Sequence, residues 1–312
     1  MIDAESIMTI LLEPMGYEFF RHGLLAALMV GGLCGLIGVY IVLRGMSYIG
    51  HGLSHAAFGG AVVAYIMQVN FYIGAGLWGF LAAILINRIT RKKEIKADAA
   101  IGIVTTASFA IGVAIISSHR EFTLSFEAAL FGNILAVTPV DLWVIGLVAL
   151  IAGGAIFFMH KGLLFTTFDM DTARIFGIKT NLIETIFSLI LAASIIVSMN
   201  IIGVTMIAAA IVIPATTARM LTNSFNKIVA YSTIIGAVTS VLGIYLSYYL
   251  DTASGATIVL FAAAVFCFVL VYNQIKTRLA VHEHIHKHGE FRHAHSHTHS
   301  EIHDHTHRDS GK

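Results

Sequence analysis

Charge is what this chain has least of. Lys, Arg, Asp and Glu make up 12% of its 312 residues, about half of the ~25% usual in soluble proteins, and mean hydropathy is +0.82. An ordinary soluble fold is excluded. The apolar runs at 23–43 and 256–272 also lack the strict alternation of a barrel strand, which leaves membrane-spanning helices. Proline is scarce, three residues against 28 glycines, a balance that suits closely packed helices in lipid. The two cysteines, Cys34 and Cys267, both lie inside apolar runs; no disulfide framework is possible, and buried, inert thiols are expected. No G-x-x-x-x-G-K-[ST] stretch is present to cradle nucleotide phosphates, so the chain is not expected to be an enzyme that hydrolyses ATP. The opening MIDAESIMTILLEP is acidic and has no basic n-region, so a cleavable signal peptide is not expected. The net charge of +1 mixes a basic loop with scattered acids, and no nucleic-acid partner is expected.

What is present begins with GMSYIGHGLSHAAFGGAVVAY at 45–65, which sets His51 and His55 four residues apart. Residues i and i+4 lie one above the other on a helix face. Two imidazoles so placed can grip one transition-metal ion. Gly59 falls on the same face one turn later and leaves room for another backbone or an ion. The residues alone leave two readings open, a metal grip or two histidines solvated near a span end. An intramembrane metalloprotease is disfavoured, because H-E-x-x-H places a carboxylate between its ligands and His51-Gly-Leu-Ser-His55 does not. A secondary zinc carrier is disfavoured too, since no His-Asn dipeptide occurs and the histidine tract is terminal.

Roughly nine spans are expected, at 19–43, 51–67, 73–86, 98–117, 140–159, 182–199, 201–221, 231–250 and 256–275. Residues 1–17 read as an interfacial piece broken at Pro14, and Gly31 and Gly35 stand in GxxxG register for helix contact. The basic loop RITRKKEIK at 88–96 places that end in the cytoplasm, and the C-terminus with it. Asp98 is expected as an N-cap. The run 126–136 has about half the ~20 residues a span needs and reads as re-entrant or lying within the bundle. Pro214 is expected to interrupt the span at 201–221 and kink it. On the cytoplasmic side, 171–176 reads as a short amphipathic helix stopped by Gly177, or else as a simple connector. The fold class is thus all-α, a polytopic helical membrane protein with a short or re-entrant helix. Its organisation is a transmembrane domain at 1–280 and a cytoplasmic tail at 281–312.

The tail is a different material. His282, His284, His286, His288, His293, His295, His297, His299, His303, His305 and His307 crowd a segment with no apolar pattern to bury, so disorder is expected. Neutral imidazoles at this density bind Zn(II), Ni(II) or Cu(II).

Six ordered blocks carry a resemblance that spans about 19–272. They are LIGVYIVLRGMSYIGHGLSHAAFGG at 36–60, DAAIGIVTTASFAIGVAIIS at 98–117, LFGNILAV at 130–137, DTARIFGI at 171–178, GVTMIAAAIVIPATTARML at 203–221 and GIYLSYYLDTASGATIVL at 243–260. The chain resembles the membrane permease subunit of ATP-binding-cassette uptake transporters for zinc, manganese or iron(II). That family commonly carries Asp at the position of His51 and often Pro at that of Ala256. The resemblance implies a multi-pass protein of the cytoplasmic membrane and a homodimer whose two copies enclose one path by alternating access. His51 and His55 of each copy would bind the ion. Separate cytoplasmic ATPase subunits would dock at Asp171, Arg174, Phe176 and Gly177, and an extracytoplasmic metal-binding protein would deliver the cargo. No permanent cofactor is implied. Four imidazoles lean to transported Zn(II), with Mn(II) or Fe(II) as the alternative.

Overall fold

The computed structural model describes residues 12–91, 95–118, 131–132, 137–288 and 291–298, with 277–288 and 291–298 described by their backbone. After a 3-10 turn at Pro14–Gly16 come α1 (Glu18–Leu43), α2 (Ile49–Ile66), α3 (Phe71–Arg91), α4 (Ala97–Ser118), α5 (Pro139–Phe158), α6 (His160–Phe168), α7 (Met170–Ile175), α8 (Thr180–Ile202), α9 (Ile207–Leu221), α10 (Phe225–Leu250) and α11 (Ser254–Ala280). Among the described residues seven of these, α1, α3, α4, α5, α8, α10 and α11, are long and apolar enough to cross a membrane. The shorter α2 and α9 complete an all-α polytopic bundle.

The bundle is organised by close backbone approach. A Cβ on Gly31 would stand 2.3 Å from the Gly236 carbonyl oxygen, and one on Gly236 would stand 2.2 Å from that of Gly31. Only hydrogen on both sides lets α1 and α10 touch there. The Ser232 hydroxyl adds a 2.6 Å bond to the Gly35 carbonyl, so the GxxxG pair reads as a contact face for α10. α1 also meets α5, α8 and α9. Its side chains Val30, Leu33, Ile37 and Tyr40 lie in the core with Leu191, Ile195 and Ile211.

Several expectations are corrected. α9 runs through Pro214 without a described break. The chain turns instead at Gly203, φ +91°, a conformation that glycine adopts without a Cβ penalty. Asp98 lies in the first turn of α4 and not at its cap, because the Ala100 amide already bonds the Lys96 carbonyl. Cys34 is buried, its thiol 3.8 Å from Ser198 Oγ, but Cys267 is exposed. An apolar environment for a span residue is supplied by lipid as well as by protein. Of the run 126–136 only Phe131 and Gly132 are described; the rest of it, the loop at 119–125 and His119 lie outside the described residues.

Contacts divide the chain into two units, Met1–Phe266 and Cys267–Lys312. In the second, Val281–His288 (β1) and Phe291–Thr298 (β2) pair antiparallel. The sequence leads to an expectation of disorder for the tail; these described residues form a backbone ribbon. Lacking an apolar face does not forbid a ribbon when histidine alternates with other residues at the two-residue period of a strand.

Candidate metal centre

α2 is held by its glycines and buried on nearly every side. Against α4, a Cβ on Gly59 would lie 2.6 Å from the Ser108 carbonyl oxygen, and one on Gly112 would lie 2.9 Å from the Gly59 Cα. Against α3, a Cβ on Gly60 would lie 2.5 Å from the Gly74 carbonyl oxygen. The space at Gly59 is therefore taken by the α4 backbone and not by an ion. Ser54, fully buried, points its hydroxyl at the His51 carbonyl at 2.8 Å and the Val204 carbonyl at 2.9 Å, fixing the first turns of α2 to the break before α9.

One edge of α2 stays open. Tyr48, just before it, is 73% exposed, His51 is exposed and His55 is half-buried. The two imidazole rings lie 4.4 Å apart, centroid to centroid, at 76°. The helix has brought the pair together as the spacing required. Phe109 of α4 stands edge-on to His55 at 5.0 Å and fixes the inner ring. His55 Nδ1 is buried without a hydrogen-bond partner among the described protein atoms, a condition shared only by the Tyr40 hydroxyl. Buried polar atoms are ordinarily satisfied, so this unpartnered nitrogen marks the pair out. Among residues with described side chains no group of three or more His, Cys, Asp or Glu gathers at one point. One chain thus brings two histidines together on the uncovered edge of α2. A cavity of about 350 Å³ lies elsewhere, lined by Phe19, Tyr248, Asp251 and Thr252, with no histidine.

The second predicted cluster is local. Asp169 caps α7: its carboxylate accepts from the Asp171 amide at 3.1 Å, from the Thr172 amide at 2.9 Å and from the Thr172 hydroxyl. The Thr172 hydroxyl first, then the backbone amides, hold this carboxyl below the usual range. Gly177, at φ +76°, ends the helix. Arg174 reaches Asp171 at 3.4 Å and Thr180 at 3.2 Å. Ile175 and Phe176 are 83% and 73% exposed, and Phe168 68%. The short-helix reading of 171–176 holds, shifted by one residue, with Asp169 as a cap the sequence reading passed over.

A part-buried polar network was missed altogether. Arg44, one residue past α1, donates to Glu184 Oε1 of α8 at 2.8 Å and to the hydroxyls of Thr166 and Thr167 of α6 at 3.0 and 3.1 Å. Its guanidinium lies 4.5 Å over the Phe187 ring. Burial pushes Arg44 down from its ordinary range, and Glu184 pulls it back up. The available signal was an arginine placed between two apolar helices with an acid inside the span 182–199. Arg91 makes a parallel tie, donating to the Asn181 carbonyl and the Thr185 hydroxyl, both at 2.7 Å.

A bundle of apolar helices long enough to cross a membrane, with the short capped helix α7 outside the spans, is the fold of a polytopic membrane protein. The chain belongs to the ABC 3 transport family, which matches residues 16–273, and so to the membrane permeases of metal-ion ATP-binding-cassette transporters. It is similar to the manganese transport system membrane protein MntC of Halalkalibacterium halodurans, 36% identical over 264 residues, 84% of this chain and 89% of that one. It is also similar to the probable iron transport system membrane protein of Haemophilus influenzae, 34% identical over 268 residues, 86% of this chain and 98% of that one. Among solved structures, PsaBC from Streptococcus pneumoniae in complex with Fab superposes with a TM-score of 0.76 at 33% identity, covering 86% of this chain and 99% of that one.

Proposed function

We propose that two copies of this chain enclose the membrane path of an importer for a divalent transition-metal ion, manganese(II) or iron(II), with His51 and His55 of each copy binding the ion in transit. The observation that carries the reading is the incomplete site. Two rings 4.4 Å apart, one with a buried unpartnered nitrogen, stand on the open edge of an otherwise buried helix. A second copy facing that edge brings the nitrogen ligands to four. The names of the similar proteins speak of manganese and iron, and none of those described above names zinc. They favour manganese or iron(II) over the zinc that imidazole chemistry alone suggested.

Energy comes from a separate ATPase docked on α7, where Ile175 and Phe176 present apolar surface beside Arg174. The end that carries Arg44, Arg91 and α7 is cytoplasmic by the positive-inside argument, and the tail follows on that side. An extracytoplasmic protein delivers the ion at the other end. Alternating opening of the path lets the site close around the ion and then release it.

The test is uptake of manganese(II) and iron(II) by cells that carry the chain with its ATPase and binding protein. His55→Ala removes two ligands per dimer and abolishes uptake of both ions, while membrane insertion and ATPase capture persist. Wild-type uptake by His55→Ala overturns the site.

A further inference from the structure

The tail lies beyond the matched family region 16–273, and its strand register sorts its histidines. In the β1–β2 ribbon His282 stands opposite His297, His284 opposite His295, and His286 opposite His293. Alternate residues share a face of a strand, and directly opposed residues share the same face. These six histidines, together with His288 opposite Phe291, therefore stand on one face. The opposite face holds the pairs Val281–Thr298, Glu283–Ser296, Ile285–Ala294 and Lys287–Arg292, with no histidine. Composition alone predicts histidines scattered around a flexible chain. The register predicts a ladder of three facing pairs.

Facing Cβ atoms in such a ribbon are about 4.5–5.5 Å apart, a separation two imidazoles can span around one ion at about 2.0–2.1 Å per bond. A neighbouring pair on the same face lies about 7 Å along the strand and can complete a four-nitrogen shell. A lone two-stranded ribbon is marginal in water, so an ion that joins the strands also contributes to their pairing. Imidazole-only shells rank Cu(II), Ni(II) and Zn(II) above Mn(II).

We propose that the paired histidines of β1 and β2 form a binding site for a borderline divalent ion, Zn(II), Cu(II) or Ni(II). It is distinct from the transport site and disfavours manganese. This assignment stands whether or not His51 and His55 carry the cargo.

The experiment titrates Zn(II) against a competing chelating dye on the full chain in detergent, in a His51→Ala, His55→Ala background. Exchanging His284 with Ile285 and His286 with Lys287 (His284→Ile, Ile285→His, His286→Lys, Lys287→His) keeps composition and moves two ligands to the other face. The tightest site should weaken by about tenfold or more. Replacing His299, His303, His305 and His307 by Ala, all beyond the strands, should leave that site intact. Unchanged affinity in the exchange variant overturns the ladder in favour of unstructured chelation, and so does loss of the tight site in the variant beyond the strands. Mn(II) binding as tight as Zn(II) overturns the assigned ion class.

Discussion

Arg44 and Glu184 meet at 2.8 Å with side chains only 5% and 16% exposed. The pair joins the end of α1, five residues before α2 begins, to α8. The same guanidinium bonds α6, which leads into α7. The loop before α2 is thereby tied to α6 and α8, which flank α7. Removing one partner leaves a buried charge, so Glu184→Ala should cost about 3–5 kcal/mol of stability. Arg44→Met with Glu184→Leu should recover most of it. Unfolding of detergent-solubilised protein reads both, and an unshifted transition in Glu184→Ala would show that the pair is not desolvated.

Gly236 has no space for a methyl group beside Gly31. Gly236→Ala should cost about 1–3 kcal/mol, with a larger loss for Gly236→Val, measured by the same unfolding assay. Tolerance of valine would mean that α1 and α10 do not cross at these glycines.

Asp169 gives α7 a pH dependence. Its folded pKa is depressed by Thr172, so the cap is fully present above the unfolded carboxylate value of about 3.9. It is lost as pH falls through the lower folded value. Amide exchange at Ala173, whose N–H bonds the Asp169 carbonyl, should accelerate in that acid window. Asp169→Asn should keep a cap without the pH step. The same acid step in Asp169→Asn would assign it to another group.

His51→Asp restores the residue common in the family. Uptake should continue and shift towards manganese(II) over zinc(II), because a hard oxygen replaces a borderline nitrogen. Uptake of the two ions in competition, on a chain cut before His282, measures the ratio. A ratio equal to that of the parent removes the link between this ligand and selectivity.

Low charge and long apolar runs determined by themselves that the chain spans a membrane in helices, since lipid forces each backbone group to be satisfied within its own segment. The i,i+4 spacing likewise determined that His51 and His55 share a face, because helix geometry is local. Gly177 announced the end of α7 for the same reason. What Gly59 accommodates was decided only by the tertiary structure: the α4 backbone fills the place where an ion was equally conceivable. The partner of Arg44 lies 140 residues away in sequence, and no local pattern selects Glu184 from the other acids. The register of β1 on β2 is likewise a pairing choice, and it alone sets seven histidines on one face, six of them in facing pairs. Periodicity is written residue by residue in the chain. Which surfaces meet depends on the packing of all helices at once.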